Sequence, residues 1–85
     1  MTYRVLWSPY AESRLEQLLR GDEATRLADI ARQIDRVLIG SPKAFGESRD
    51  DTVRVGFVRP IGVLYEVMDD VRTVVVYDAW RIDRK

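Results

Sequence analysis

The sequence contains no cysteine and no histidine. The first absence excludes a disulfide framework and any thiolate metal site. The second removes the commonest general base and the commonest metal ligand, so zinc chemistry and Ser-His or Cys-His nucleophilic catalysis are out. Net charge is missing too: 14 Lys+Arg stand against 14 Asp+Glu, whereas nucleic-acid-binding domains usually carry a basic excess. Lysine occurs only at positions 43 and 85. The remaining cations are arginines, which fork phosphates well but do not act as bases. No run approaches the roughly 20 apolar residues of a membrane span, and the opening MTYRVLW lacks the apolar stretch of a signal peptide. The expectation is a cytoplasmic protein without membrane, metal or cofactor, in which any catalysis rests on Arg, Lys, Tyr, Asp or Glu.

What is present suffices for one small domain over residues 1–85, with 46% hydrophobic residues for a core and 33% charged residues for a solvated surface. Tyr3 to Trp7 is β-branched and aromatic with Tyr3, Val5 and Trp7 in alternation, which predicts a strand. Ser8 is a good N-cap and Pro9 suits the first helical position. Ala11, Leu15, Leu18 and Leu19 then recur at helical spacing up to Gly21. With Asp22 as cap, a second helix follows on the stripe Leu27, Ile30, Ala31, Ile34, Val37 and Leu38, with Gly40 at its C′ position. The short connection makes the two helices an antiparallel αα-hairpin. Ser41 to Asp51 reads as a long loop of the kind that carries function.

Three strands come next, Val53 to Val58, Val63 to Met68 and Val71 to Tyr77, joined by RPIG and by DD. Short turns between consecutive strands make an antiparallel meander. The fold expected is α+β: a small β-α-α-β-β-β domain whose antiparallel sheet is packed on one face by the αα-hairpin, leaving the other face open.

Period-two alternation sorts the strands. The apolar sets Val53, Val55, Phe57 and Val63, Tyr65, Val67 are expected under the helices, with Arg54 and Glu66 paired across strands on the open face. Either this is a surface ion pair, or Arg54 is aimed at a phosphate and tuned by the carboxylate. Arg49 in the long loop could reach over the same face, and Arg59 sits in the turn before Pro60. Trp80 is expected after the last strand as a lid on the core edge, with an aromatic platform for a base as the rival reading. Tyr65 and Tyr77 are expected in the core, and the third meander strand, apolar on both sides, is expected either inside the sheet or covered on both faces.

The strand, the αα-hairpin and then VRVGFVRPIGVLYEVMDDVRTVVVYDAWR resemble the RelE/ParE superfamily of toxins from type II toxin–antitoxin, or plasmid stabilisation, modules. The resemblance covers nearly the whole chain. Its most specific part is Arg54, then Val63 to Val67, an acidic turn, and Thr73 to Arg81. It implies a toxin held inactive by a cognate antitoxin. One branch of the family cleaves messenger RNA on the ribosome without a metal; the other inhibits DNA gyrase and has no nuclease activity. In the first case the resemblance implies Arg54 as a basic position of the nuclease site and, more loosely, Arg81; the expected catalytic set is then Arg54 as the phosphate clamp with Arg49 and Arg81 adding charge, and Arg59, Glu66 and Trp80 are expected as target contacts from their places around the open face. Gly56 and Gly62 fall where the ribonucleases carry a basic residue and a catalytic arginine. A non-enzymatic, gyrase-directed toxin stays open as the alternative, as does a non-toxic member kept as an interaction module or homodimer.

Overall fold

A computed structural model describes residues 2–82. Strand β1 (Arg4–Trp7) leads into helices α1 (Pro9–Leu18) and α2 (Ala24–Gly40), a single helical turn α3 (Pro42–Phe45), and strands β2 (Glu47–Ser48), β3 (Val53–Val58), β4 (Ile61–Met68) and β5 (Thr73–Arg81). The sheet order is β1-β5-β4-β3-β2. From β2 to β5 the pairing is antiparallel, while β1 joins β5 in parallel. The α+β class and the strand–hairpin–meander order agree with the sequence reading, and β5 lies inside the sheet as its double-sided apolarity requires.

Local chemistry accounts for the helices. The Ser8 hydroxyl accepts a hydrogen bond from the Ala11 amide at 3.0 Å, and Pro9 opens α1. Leu27, Ile30, Ala31, Ile34 and Leu38 form the buried stripe of α2. All of these but Ala31 meet Ile61, Val63, Tyr65, Val67, Val74, Val76 and Ala79 from the sheet in one core. Two expected termini shift. The cap of α2 is Glu23, not Asp22, and Gly40 is the last helical residue, with Ser41 as cap. The amide of Ser41 reaches the Val37 carbonyl, so the helix ends two residues later than with Gly40 at C′.

The stretch expected as a loop is partly ordered. Its α3 turn lies on the helix side of the sheet, where the Phe45 ring stacks on Tyr65 with centroids 6.0 Å apart, and its β2 strand joins the sheet edge beside β3. The segment therefore packs beside the αα-hairpin and leaves the other face uncovered. Strand β5 runs four residues past the expected end, so Trp80 and Arg81 are strand residues with neighbours Gly62 and Ile61 on β4. Among the described residues no helix is long and apolar enough to cross a membrane.

Candidate functional site

Register decides which side chains share a face. Arg54, Gly56 and Val58 stand opposite Tyr65, Val63 and Ile61, and those three β4 residues are fully buried under the helices. Val53, Val55 and Phe57 stand opposite Glu66, Leu64 and Gly62. The expected assignment of β3 is thus inverted, and the Arg54–Glu66 pair does not exist: the two residues point to opposite sides of the sheet. The physical reason lies in Gly56 and in the arginine stem. A Cβ at Gly56 would collide with the Phe45 ring, so the missing side chain is the socket into which α3 inserts. Arg54 lies along the same surface and donates from Nη2 to the Gly46 carbonyl at 2.9 Å, its Nε buried without a partner. A long aliphatic stem with a polar tip can occupy such a half-buried site, which a simple apolar-in rule overlooks.

The other expected cations do not converge on Arg54. Arg81 is on the covered face and pairs with Glu23 at 2.7 Å. Arg54 and Arg81 flank β4 four residues apart on opposite sides, which separates their Cα atoms by about 16 Å from ordinary strand dimensions. Arg49 is exposed where the chain turns from β2 to β3, its amide bonded to the Val53 carbonyl. Arg59 is exposed in the turn at the far end of β3. Trp80 is on the outer face, edge-on to Phe57 at 6.5 Å, and both rings crowd Gly62.

The outer face reads in rows across the strands: Arg4, Thr73 and Met68; then Leu6, Val75, Glu66 and Val53; then Asp78, Leu64, Val55 and Glu47; then Trp80, Gly62 and Phe57. A bulge between Leu64 and Tyr65 leaves Tyr77 as the extra residue of β5. Tyr77 is consequently not a core residue: it is 38% exposed, and its hydroxyl donates to Glu66 Oε1 at 2.6 Å. Thr52 donates to Glu66 Oε2, also at 2.6 Å. These two hydrogen bonds, that from Thr52 first, hold the Glu66 carboxyl below the usual carboxylate range. The Glu66 bond in turn raises the Tyr77 phenol. Leu6 and Phe57 on this face are 47% and 48% exposed. Thr52 and Tyr77 were missed in the sequence; the bulge that aims Tyr77 has no local signal, whereas a threonine just before the strand carrying Arg54 was a readable one.

A second polar group closes one end of the sheet. Asp69 accepts from the Tyr3 hydroxyl at 2.6 Å and from Lys43 Nζ at 2.5 Å, and Arg72 stacks over the Tyr3 ring at 4.1 Å. Lys43 and then Tyr3 lower the Asp69 carboxyl. This ties α3, β1 and the β4–β5 turn together, with Arg72 in the left-handed region at φ 50. Lys43 and Asp69 are paired with each other and Arg72 lies on the Tyr3 ring, so the group serves as a structural clasp.

No protein-family model matches the chain, and no curated protein matches it. Solved structures do. Taken with its sheet order, the molecule is a small α+β domain with one helix-covered and one bare sheet face. That architecture superposes on a chain of the RelBE2 toxin–antitoxin complex of Mycobacterium tuberculosis with a TM-score of 0.81 and 19% identity, covering 95% of this chain and 99% of that one. A chain of the chromosomal ParDE system of P. aeruginosa gives 0.71 and 17%, covering 95% and 97%. The isolated RelE toxin of E. coli gives 0.65 and 20%, covering 98% and 87%. The fold is therefore the RelE/ParE fold; at these identities the likeness is one of fold.

Proposed function

We propose that this chain is the toxin of a type II toxin–antitoxin pair, and that it arrests growth by binding a protein instead of cutting RNA. The fold and the RelE/ParE resemblance of the meander support the first half. One observation carries the second. The two positions where that resemblance places cationic residues are Gly56 and Gly62, and aromatic rings occupy the space of a side chain at each, Phe45 at the first and Phe57 with Trp80 at the second. Metal-free phosphoryl chemistry needs several cations aimed at one scissile phosphate. Here Arg54 is tied to a backbone carbonyl and Arg81 to Glu23. The bare face offers exposed apolar side chains, which suit a protein partner. DNA gyrase, the target that the resemblance implies for the non-nuclease branch, is the first to test.

The test is to induce the chain alone in a bacterial host, map the 5′ ends of cellular messenger RNA, and follow the supercoiling of a reporter plasmid. Growth arrest with altered supercoiling and no new codon-phased ends is the expected result. Codon-phased ends that disappear in an Arg54→Ala variant at matched expression would overturn the protein-directed mechanism in favour of a ribosome-dependent ribonuclease. Absence of arrest from a folded protein would overturn the toxin reading itself.

A further inference from the structure

The charged side chains on the outer strands differ in how they are compensated. Arg4 and Glu47 stand on the two edge strands, exposed to water. The Asp78 carboxylate pairs with Arg14 of α1 at 3.4 Å. Glu66 stands on the central strand β4 and forms no ion pair with a described residue. The register surrounds it with Val75, Val53 and Leu64, and with Leu6 beyond Val75. A carboxylate set among apolar side chains is usually paired with a cation. This one is held between two hydroxyls instead, Thr52 on one oxygen and Tyr77 on the other, both at 2.6 Å. The two bonds fix the plane of the carboxylate, and each oxygen keeps an acceptor site free.

We propose that Glu66 is a guanidinium-binding site, and that the protein target of this chain is selected by an arginine laid across this carboxylate. The proposal rests on the protein-directed reading above and adds the residue and the chemistry that choose the partner. Two free acceptors held in one plane match the paired N–H groups of a guanidinium, whereas an ammonium is a point donor that uses only one of them. The aliphatic stem of an arginine can lie along Val75 and Leu6 or along Val53 while its tip meets the carboxylate. The resulting pair sits inside a ring of apolar contacts, which is where binding energy concentrates in a protein interface. A nucleic acid is disfavoured at this point, because its phosphates would meet a carboxylate. A second copy of this chain is disfavoured too: two such faces stacked about a two-fold axis carry both Glu66 carboxylates into one apolar layer, where like charges are costly to bury. Thr52 and Tyr77 are positioning residues here, since they touch the carboxylate and orient it for the partner.

The site is tested on the full chain with three probes, N-acetyl-arginine amide, N-acetyl-lysine amide and the neutral N-acetyl-citrulline amide. Amide shifts are followed by NMR at low salt, where exposed charges are least screened. The arginine probe should move Val53, Glu66 and Val75, bind at least about 5-fold more tightly than the lysine probe, and lose its binding in Glu66→Gln. The citrulline probe should not bind. Tyr77→Phe and Thr52→Val keep the charge but release its orientation, so the preference for arginine over lysine should fall while lysine binding persists. A general loosening of the fold would not produce that change of ratio. The role toward the target is tested by induction in a bacterial host at matched soluble protein, with circular dichroism showing that each variant is folded. The inducer level for half-maximal arrest should rise at least about 10-fold in Glu66→Gln, and arrest should vanish in Glu66→Lys. Glu12→Lys makes the same charge change on exposed α1 and should arrest like the wild type. Equal binding of the arginine and lysine probes by the wild type, or unchanged arginine binding by Glu66→Gln, would overturn the site. Undiminished arrest by folded Glu66→Lys would overturn its role toward the target and leave the toxin reading standing. No arrest by the wild type, with arginine binding intact, would overturn the toxin reading and leave the guanidinium site standing.

Discussion

The two faces of the sheet start from nearly equivalent strands and end in opposite environments. On β4, Val63, Tyr65 and Val67 are buried, while Leu64, Glu66 and Met68 are only partly covered. On β3 one alternating set, Val53, Val55 and Phe57, is wholly apolar, and hydrophobicity alone would send it inward. The face that receives the helices is instead the one with Arg54 and Gly56. What distinguishes it is shape: Gly56 leaves a socket for Phe45, and Tyr65 reaches across to donate to the Pro42 carbonyl at 2.6 Å. Complementarity to α3 outweighs the transfer energy of one additional apolar side chain, which is about 1.5–3 kcal/mol.

The widest separation between the faces should appear in stability. Ile34→Ala removes a fully buried side chain from the α2 stripe and is expected to cost about 2–5 kcal/mol in urea unfolding. Phe57→Ala, from a side chain already 48% exposed, should cost less than about 1 kcal/mol in the isolated protein. Equal costs would mean that the outer face is covered in solution, by self-association or otherwise. Dilution over two decades of concentration distinguishes those cases, because an association-dependent midpoint moves with concentration.

The paired glycines make the same comparison at finer scale. Gly56→Ala drives a methyl into Phe45, a ring held against Tyr65, and should destabilise by about 1–3 kcal/mol. Gly62→Ala meets Phe57 and Trp80, and the exposed Phe57 ring can swing to another rotamer, so the cost should stay below about 1 kcal/mol. A Gly62→Ala effect as large as that of Gly56→Ala would mean that the Phe57–Trp80 contact is as fixed as the core. Arg54→Ala falls in the same range as Gly56→Ala: it frees the Gly46 carbonyl and should cost about 1–3 kcal/mol. Amide exchange should then accelerate in residues 41–48 while the β4–β5 amides remain protected.

Elements with a strong repeating signal were legible from the sequence. The α2 stripe, the Ser8–Pro9 start of α1, the β4 alternation and the inner position of β5 all follow from residue spacing. What escaped depends on contacts between distant segments. No local pattern in β3 reveals that Phe45 will fill the place of a side chain at Gly56, and this contact inverts the face of Arg54. Nor does Tyr77 announce the bulge that turns it from the core towards Glu66. The expected site was therefore assembled on the wrong pairing. Glu66 sits where expected, but its partners are hydroxyls of Thr52 and Tyr77, and the arginines proposed beside it are elsewhere.

The smallest expected difference between the faces lies in their response to pH. Glu66 has its folded pKa lowered by the Thr52 and Tyr77 hydrogen bonds. The stability it contributes is complete above the ordinary carboxylate value, about 4.3, and is lost as pH falls through the folded value. Tyr65 behaves in the opposite sense. Burial raises its phenol, so its contribution is complete below the ordinary value, about 10, and is lost as pH rises through the folded pKa. Glu66→Gln should therefore flatten the acid limb of a urea-midpoint-against-pH profile, with the residual slope there partly due to Asp69, which is also lowered. Tyr65→Phe should leave the acid limb intact and flatten only the alkaline one. The two faces are not fully independent, because Tyr77 is raised chiefly by its bond to Glu66. Glu66→Gln must consequently soften the alkaline limb slightly as well. An alkaline limb unchanged in Glu66→Gln would show that the Tyr77–Glu66 bond is not maintained in solution.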